Sequence, residues 1–298
     1  MDVGQPTIDQ LRIFMAVAEE GSFNGAARRL GRALSVISYG MGALEGQLGI
    51  TLFRREGSRR PELTEAGRAL LGDARAILGE TDGMMARARG IRQGLETEVS
   101  LAVDVMMPTD VLAGVLRDFQ DAFPTVDLRL HVEALGAVAA LVRDQRPDLA
   151  IAGPDILDLP ELDRRAVGSV ELVPVAAPSH PLAQSADVSA GEAARHLQLV
   201  LTDRSPLTAG REFSVLSPRS WRLADLGAKH ALLREGIGWG NMPRHAIASD
   251  LASGRLVILR LAEGSTLDYR LHALWRRDSR PGPATTWMLE ALTDRCAA

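Results

Sequence analysis

The sequence predicts a multidomain α+β chain: a winged helix-turn-helix head, a long linker helix and a two-lobed α/β body. Three observations predict it. The first sixty residues hold three helical patterns, each stopped by a glycine, and then an arginine-rich hairpin pattern. Residues 64–91 carry apolar residues at heptad spacing. From residue 98 onward, strand-like and helix-like runs alternate. The expected boundaries are 1–63 for the head, 64–97 for the dimerising linker helix and hinge, and 98–298 for the body. One lobe of the body takes about 98–168 and 268–298, the other about 169–267.

Thr7-Ile8-Asp9-Gln10 reads as a capping box, with Gln three residues after Thr. Leu11, Phe14, Met15 and Ala18 follow at helical spacing, and Gly21 stops the helix. Ser22 caps a short second helix with Phe23, Ala26, Ala27 and Leu30 on its inner face, and Gly31 ends it. A third helix is expected from Leu34 to Leu48, ending at Gly49. Ile37, Met41, Leu44 and Leu48 fall within about 60° of one another at 3.6 residues per turn, which makes them a core stripe. Ser35, Ser38, Tyr39, Gly42 and Gly46 point the other way. A solvated helix face usually carries Lys and Glu; a small, polar, nearly uncharged face suits close approach to a DNA major groove. Gly40, Gly42 and Gly46 each cost about 1 kcal/mol of helix propensity relative to Ala. Thr51 to Leu63 reads as a hairpin turning at Gly57-Ser58, with Arg54, Arg55, Arg59 and Arg60 flanking its tip. Such arginines suit phosphates and minor grooves, and equally a solvated tip.

Thr64 caps a helix reaching about Gly90. Leu70, Ile77, Met84 and Ile91 stand seven apart, with Ala74, Thr81 and Ala88 on the other seam position. The pattern fits a dimer seam or an amphipathic helix lying on its own domain. Gly90 to Thr97 is the expected linker. In the body, strands are expected at 99–105, 126–132, 148–152, 172–177, 197–201, 236–241, 256–261 and 271–275. Helices are expected at 109–122, 135–145, 223–234, 243–252 and 284–296, with Pro243 at a helix start. The alternation argues for a parallel sheet with a cleft where strand ends face helix starts. Trp221, Trp239 and Trp275 are expected in the core or pocket wall.

Composition narrows the class. With 298 residues, 46% hydrophobic and 24% charged, the chain fits ordinary folded domains rather than a collagen-like or disordered polymer. The longest uncharged apolar run, Ala134 to Val142, is too short for a membrane helix, which needs about 20 residues. The first twenty residues carry Asp2, Asp9, Glu19 and Glu20 and no basic segment, so a cytoplasmic location is expected. Cys296 is the sole cysteine, which excludes an internal disulfide. Residues 1–95 hold 13 Arg against 11 acids, whereas residues 96–298 hold 21 basic against 27 acidic residues. A basic head on an acidic body points to different partners for each. Lys229 is the one lysine among 34 basic residues, a skew assigned here to base composition.

Residues 8–68 resemble the winged helix-turn-helix head of LysR-type transcriptional regulators. The matching stretches are Leu11 to Phe23, Ala26-Ala-Arg-Arg-Leu30, Ala43-Leu-Glu45, Gln47-Leu-Gly49, Leu52-Phe-Arg-Arg55 and Leu63-Thr-Glu-Ala-Gly67. The body resembles the same family's effector domain, itself similar to periplasmic binding proteins. Leu116 to Pro124, Asp148-Leu-Ala-Ile151, Ser179-His-Pro-Leu-Ala183 and Gly236 to Pro243 carry that likeness. The resemblance implies base contacts from Leu34, Ser35, Ser38 and Tyr39, with Gly42 on the same DNA-binding face, and phosphate contacts from Arg32, Arg55 and the wing. It departs from the family pattern at Ala33, Leu34, Ser35, Tyr39 and Gly42; Tyr39 could stack, donate to a base or touch a phosphate. It also implies pairing of linker helices through Leu70, Ile77, Met84 and Ile91, hence a homodimer or homotetramer. A dimer reads two half-sites, so a roughly palindromic double-stranded operator is expected. RNA polymerase is an expected partner, and no membrane is.

Mapping onto the body gives candidate effector residues Asp104, Val105, Met106, Glu133, Leu135, Gly136, Thr202, Asp203, Asn241 and Met242. If Asp104, Glu133 and Asp203 line the cleft, they oppose a simple carboxylate and favour a cationic or hydroxyl-rich ligand; otherwise each caps a helix or pairs with an Arg. Catalysis is not expected. None of the six histidines sits in a His-Glu-x-x-His pattern, and no Gly-x-Ser-x-Gly elbow or Walker loop is present. Gly236-x-Gly-x-Gly suits a strand end better than a phosphate loop, and His180 reads as structural. No metal or cofactor is expected beyond a small-molecule effector. The resulting reading is a ligand-responsive, sequence-specific DNA-binding regulator. The alternative is a small-molecule-binding module with a degenerate, weakly DNA-binding head.

Overall fold

A computed structural model describes residues 4–54, 60–144, 147–154, 159–202, 205, 214–262 and 266–297. The chain divides into two compact units, Met1–Arg89 and Gly90–Ala298.

In the first unit, α1 (Ile8–Glu20), α2 (Phe23–Leu30) and α3 (Leu34–Leu48) follow one another, each ended by a left-handed glycine. The Thr7–Gln10 capping box forms in both directions, and the Ser22 hydroxyl accepts from the Gly25 N–H. Ala33 caps α3 with no side-chain bond. A two-stranded antiparallel hairpin, β1 (Phe53–Arg54) and β2 (Glu62–Leu63), leads into α4 (Glu65–Arg92). The Thr64 hydroxyl accepts from the Gly67 N–H at 2.9 Å, starting that helix.

The core of this unit joins Ile13, Phe14 and Val17 to Ala26, Ile37, Met41, Leu44, Leu52, Phe53 and Ala74. Spacing alone selects Leu11, Met15 and Ala18, but these are only partly buried. The inward face of α1 is rotated toward Ile13 and Val17 because α1 packs on α2 and α3 at once. Gly40 permits this approach: a Cβ there would lie 2.5 Å from Ile13 Cδ1. The Glu45 carboxylate of α3 accepts the backbone N–H groups of Leu52 (2.7 Å) and Phe53 (3.3 Å), fastening the hairpin to the third helix.

The second unit contains β3 (Glu98–Asp104), α5 (Thr109–Ala122), β4 (Asp127–Glu133), α6 (Gly136–Arg143), β5 (Leu149–Ala152) and β6 (Leu162–Ala176). After these come α7 (Ala190–Ala193), β7 (Gln198–Leu201), β8 (Ser220–Leu223), α8 (Leu226–Arg234), β9 (Gly240–Pro243), α9 (Ala248–Ala252), β10 (Val257–Ile258), β11 (Leu267–Arg276) and α10 (Pro283–Ala297). The main sheet runs β10-β6-β11-β5-β3-β4, and β9 also pairs with β6. The β3, β4 and β5 strands are parallel, as alternation predicts. The β11 strand is antiparallel to both β5 and β6, which corrects the expectation of a purely parallel sheet.

Strand β6 hands over its neighbours at Leu172. It pairs with β11 from Leu162 to Leu172, then with β9 and β10 to Ala176. One strand therefore serves both lobes, and the expected boundary at 168/169 falls inside it. The register skips Val167 between Ala166↔His272 and Gly168↔Leu271, a bulge that bends the strand. Pro243 closes β9 rather than starting a helix, and a 3-10 turn at His245–Ile247 follows it. As a strand residue Pro243 faces Leu172 across the sheet. Trp239 is fully buried, Trp275 is half-buried and Trp221 is exposed on β8, contrary to its expected place in core or wall.

Glu45→Ala leaves the Leu52 and Phe53 N–H groups without their acceptor and is expected to cost about 1–3 kcal/mol. Glu45→Gln keeps an acceptor oxygen and is expected to lose less. Urea unfolding of both variants checks the order.

Candidate functional site

On α3, Ser35, Ser38, Tyr39, Gly42 and Gly46 all lie exposed, opposite Ile37, Met41 and Leu44. Tyr39 is 80% exposed, and Leu34 and Val36 are 44% exposed each. The face is thus neutral, with one phenol and a small apolar cluster; Val36 is a member that spacing did not select. Arg32 Nη1 donates to Asp9 Oδ2 at 2.5 Å, so a phosphate at Arg32 would share or replace that carboxylate. Arg54 and Arg60 are exposed at the two ends of the hairpin, while Arg55 and Arg59 lie outside the described residues.

Along α4, Leu70, Leu71 and Ala74 pack against the core of their own unit. Leu70 is thereby partly committed to that core. Ile77, Met84 and Ile91 are exposed, as is Met85. Exposed large apolar residues repeating at heptad spacing form a seam along the helix.

In the second unit, β3 ends at Asp104, which is 1% exposed. Its Oδ1 accepts the Met106 N–H at 2.8 Å and its Oδ2 the Tyr269 hydroxyl at 2.8 Å. The backbone amides of Leu135 and Gly153 also favour its charged form. Burial pushes the carboxyl up to about 6, and these four groups restrain the rise. Leu135 holds a positive φ of 50°, a strained conformation for a branched residue that aims its amide at the carboxylate. Gly153 has no room for a side chain, since a Cβ there would lie 1.9 Å from the Tyr269 hydroxyl oxygen.

Above this knot lies a cavity of about 310 Å³. Its walls include Met106, Leu135, Leu172, Leu199 and Leu201, with Lys229, Asn241, Asp268 and Tyr269 as polar members. Of the expected effector residues, Met106, Leu135 and Asn241 line it. Val105 and Met242 border a separate recess of about 430 Å³ with Asp110, His230 and His245. Asp104 sits beneath the wall with its oxygens occupied. Glu133 is exposed at the end of edge strand β4, Gly136 is buried at the start of α6, and the Thr202 N–H donates to the Leu223 carbonyl at 2.8 Å. None of these four lines the cavity. Asp203 lies outside the described residues. The expected acidic lining, and the cationic ligand it favoured, are therefore not supported by Asp104 or Glu133.

Sequence reasoning missed the other polar residues of this wall: Gln198, Ser214, Lys229, Asp268 and Tyr269. Tyr269 holds Asp104. Gln198 is buried, its Oε1 accepting from Leu216 and Ser217 N–H and its Nε2 donating to the Ser214 carbonyl. Lys229 on α8 is 3% exposed, and its Nζ donates to the Asn241 carbonyl at 2.7 Å. Burial lowers its ammonium to about 8. Its singularity among arginines was the available signal. His180 is structural, its Nδ1 accepting the Leu182 N–H at 3.2 Å. Gly238 and Gly240 bring their strand against β7, where a Cβ would lie 2.5 and 2.4 Å from the Leu197 and Leu199 carbonyls.

Comparison with known proteins places two family models on the chain. Residues 8–68 match the bacterial regulatory helix-turn-helix protein, lysR family, and residues 92–297 match the LysR substrate binding domain. The HTH-type transcriptional regulator YhaJ of Escherichia coli is 30% identical over 296 residues, covering 96% of this chain and 95% of that protein. The HTH-type transcriptional activator AllS of Klebsiella pneumoniae is 29% identical over 256 residues, covering 84% and 93%. Among solved structures, an OxyR variant from Corynebacterium glutamicum aligns with a TM-score of 0.51 at 22% identity, covering 98% of this chain and 93% of that one. A full-length OxyR variant from Pseudomonas aeruginosa gives 0.51 at 16% identity, covering 98% and 100%. These two share the fold.

Asp104 binds its proton more tightly folded, near 6, than unfolded, near 3.9. Folding therefore takes up a proton at this site between those values. Its contribution to stability is fullest below about pH 4 and declines as pH rises through about 6. Asp104→Asn is expected to remove that part of the slope, read as the difference between variant and parent in urea unfolding from pH 4.5 to 7.5. Tyr269→Phe is expected to cost about 1.5–3 kcal/mol at neutral pH, where the donor to a charged oxygen is lost.

Proposed function

Because this chain belongs to the LysR family of bacterial transcriptional regulators, we propose that it is a ligand-responsive, sequence-specific DNA-binding regulator acting as a homodimer or homotetramer. It carries the family's helix-turn-helix and substrate-binding domains, and its relatives are transcriptional regulators, not enzymes.

The observation that carries the reading is the face of α3. A helix held by a buried stripe presents Leu34, Ser35, Ser38, Tyr39 and Gly42 outward without a single charge. Such a surface gains little from water and fits a groove in which methyl groups and base edges are offered. The arginines of the hairpin supply the sequence-independent attraction to phosphate. The exposed Ile77, Met84 and Ile91 support pairing of two α4 helices. Two heads on one symmetric dimer match a roughly palindromic operator.

The cavity of the second unit is the proposed effector site, with Met106 from the turn after β3, Leu135 from the turn after β4 and Asn241 from β9. A ligand that prefers one arrangement of the two lobes shifts the population toward it and so alters DNA binding. RNA polymerase is the proposed protein partner at the promoter. The action uses no metal or cofactor.

Fluorescence polarisation with the DNA upstream of its own coding sequence tests the reading. Binding is expected to be lost on scrambling the DNA and weakened at least tenfold by Tyr39→Ala. Equal affinity for both DNAs with a steep salt dependence would mean that the arginines alone engage, and the proposal of sequence readout would fail. For the seam, the double variant Ile77→Glu, Met84→Glu is expected to sediment as a monomer where the parent sediments as a dimer or larger.

A further inference from the structure

Resting on the reading of the cavity as the effector site, we infer that the effector is a small carboxylate with an apolar body, its charged end seated against Lys229 and the Asn241 side chain. Three independent features lead there.

The first is the wall itself. Met106, Leu135, Leu172, Leu199 and Leu201 give it an apolar lining, and Lys229 is the one cationic side chain among its described residues. Asp268 also borders the cavity, but it is exposed and accepts hydrogen bonds from Arg270 and Ser169. Gln198 has its amide committed to Ser214, Leu216 and Ser217. Among the described residues, the ammonium is the buried charge that the cavity encloses.

The second is the state of that ammonium. It is almost wholly removed from water, it faces the cavity, and no acid among the described residues pairs with it. The Asn241 carbonyl takes one of its three N–H bonds, leaving two for a ligand. The Asn241 side-chain amide, on the same wall, makes no hydrogen bond within the described residues. A buried cation with spare donors is costly unless an anion completes it. One ammonium with two spare donors matches a single carboxylate; a dianionic phosphate would ask for more.

The third is residue choice. Every other basic position in the chain is arginine. At 229 the stem crosses Gly240, where even a Cβ would lie 3.2 Å from Lys229 Cε, and a compact point charge fits where a planar fork does not. The lysine is thus a feature of this wall rather than of composition.

The sole lysine makes the test clean, because protein grown with 13C-lysine gives one side-chain signal. The full-length protein is titrated with linear, branched and aromatic monocarboxylates of two to ten carbons, and with their uncharged amides. Binding is followed by calorimetry and by the Lys229 signal. At least one acid is expected to bind tenfold or more tighter than its amide and to move the signal. Lys229→Met, or Lys229→Gln should the first fail to fold, is expected to abolish that preference while keeping amide affinity. If acids and amides bind alike, or the preference survives in the variants, the inference is overturned and the cavity stands as an effector site. If neither acids nor amides bind, the effector reading of the cavity fails and the inference falls with it.

Discussion

The second unit depends on one buried carboxylate. Asp104 ends β3, accepts hydrogen bonds from Met106 and Tyr269, and has its charge favoured by the backbone amides of Leu135 and Gly153. Those four residues come from the turn after β3, from β11, from the turn after β4 and from the end of β5. Without this common carboxylate, these loop and strand amides and the hydroxyl would be left to find separate partners in a water-poor region. The carboxylate gathers them and so ties the turns after β3, β4 and β5 to β11 along one part of the cavity wall. The strained φ of Leu135 and the missing side chain at Gly153 are conditions of that gathering. Its raised proton affinity is the residue of desolvation that these four groups do not fully offset.

The first unit follows a different logic. Its three helices are set by local signals, with a capping box at Thr7, a hydroxyl cap at Ser22 and left-handed glycines at 21, 31 and 49. Glu45 then joins helix to hairpin through two backbone amides, so that the neutral face of α3 and the arginine-bearing hairpin are held as one surface. The glycines of α3 divide by role. Gly40 faces Ile13 and is required for packing, while Gly42 and Gly46 have open space around them. Only the latter two belong to the outer face.

What could be read from the sequence tracks what is local. The limits of α3 and α5 are those read from the sequence, because periodicity, and for α3 the glycine that ends it, are signals that lie within a few residues. The length of β6 was not legible. Asp163, Arg164 and Arg165 are polar and half-buried or exposed, so no apolar run announces the strand, whose partner β11 lies a hundred residues away. Pro243 carries the sign of a helix start, and only its pairing with Leu172 makes it a strand residue. Of the residues that chain mapping assigned to the cavity, Met106, Leu135 and Asn241 line it and the acids Asp104 and Glu133 do not. Asp104 turns inward to its donors, a fact that depends on Tyr269 from far along the chain. Lys229 stands out in the sequence as the one lysine, but its burial against the Asn241 carbonyl is a tertiary event that no local signal carries.

The burial of Lys229 bears on how the surface can be modified. With its single lysine 3% exposed, the chain offers acylating enzymes no side-chain amine on its surface. Every accessible fixed cation is a guanidinium, which holds its proton throughout the physiological range. Lysine acetylation, the usual covalent means of cancelling a positive charge, has no purchase on such a surface. The positive charge that the hairpin and helices of the head bring to DNA is consequently fixed against acetyl transfer from the moment the chain is made.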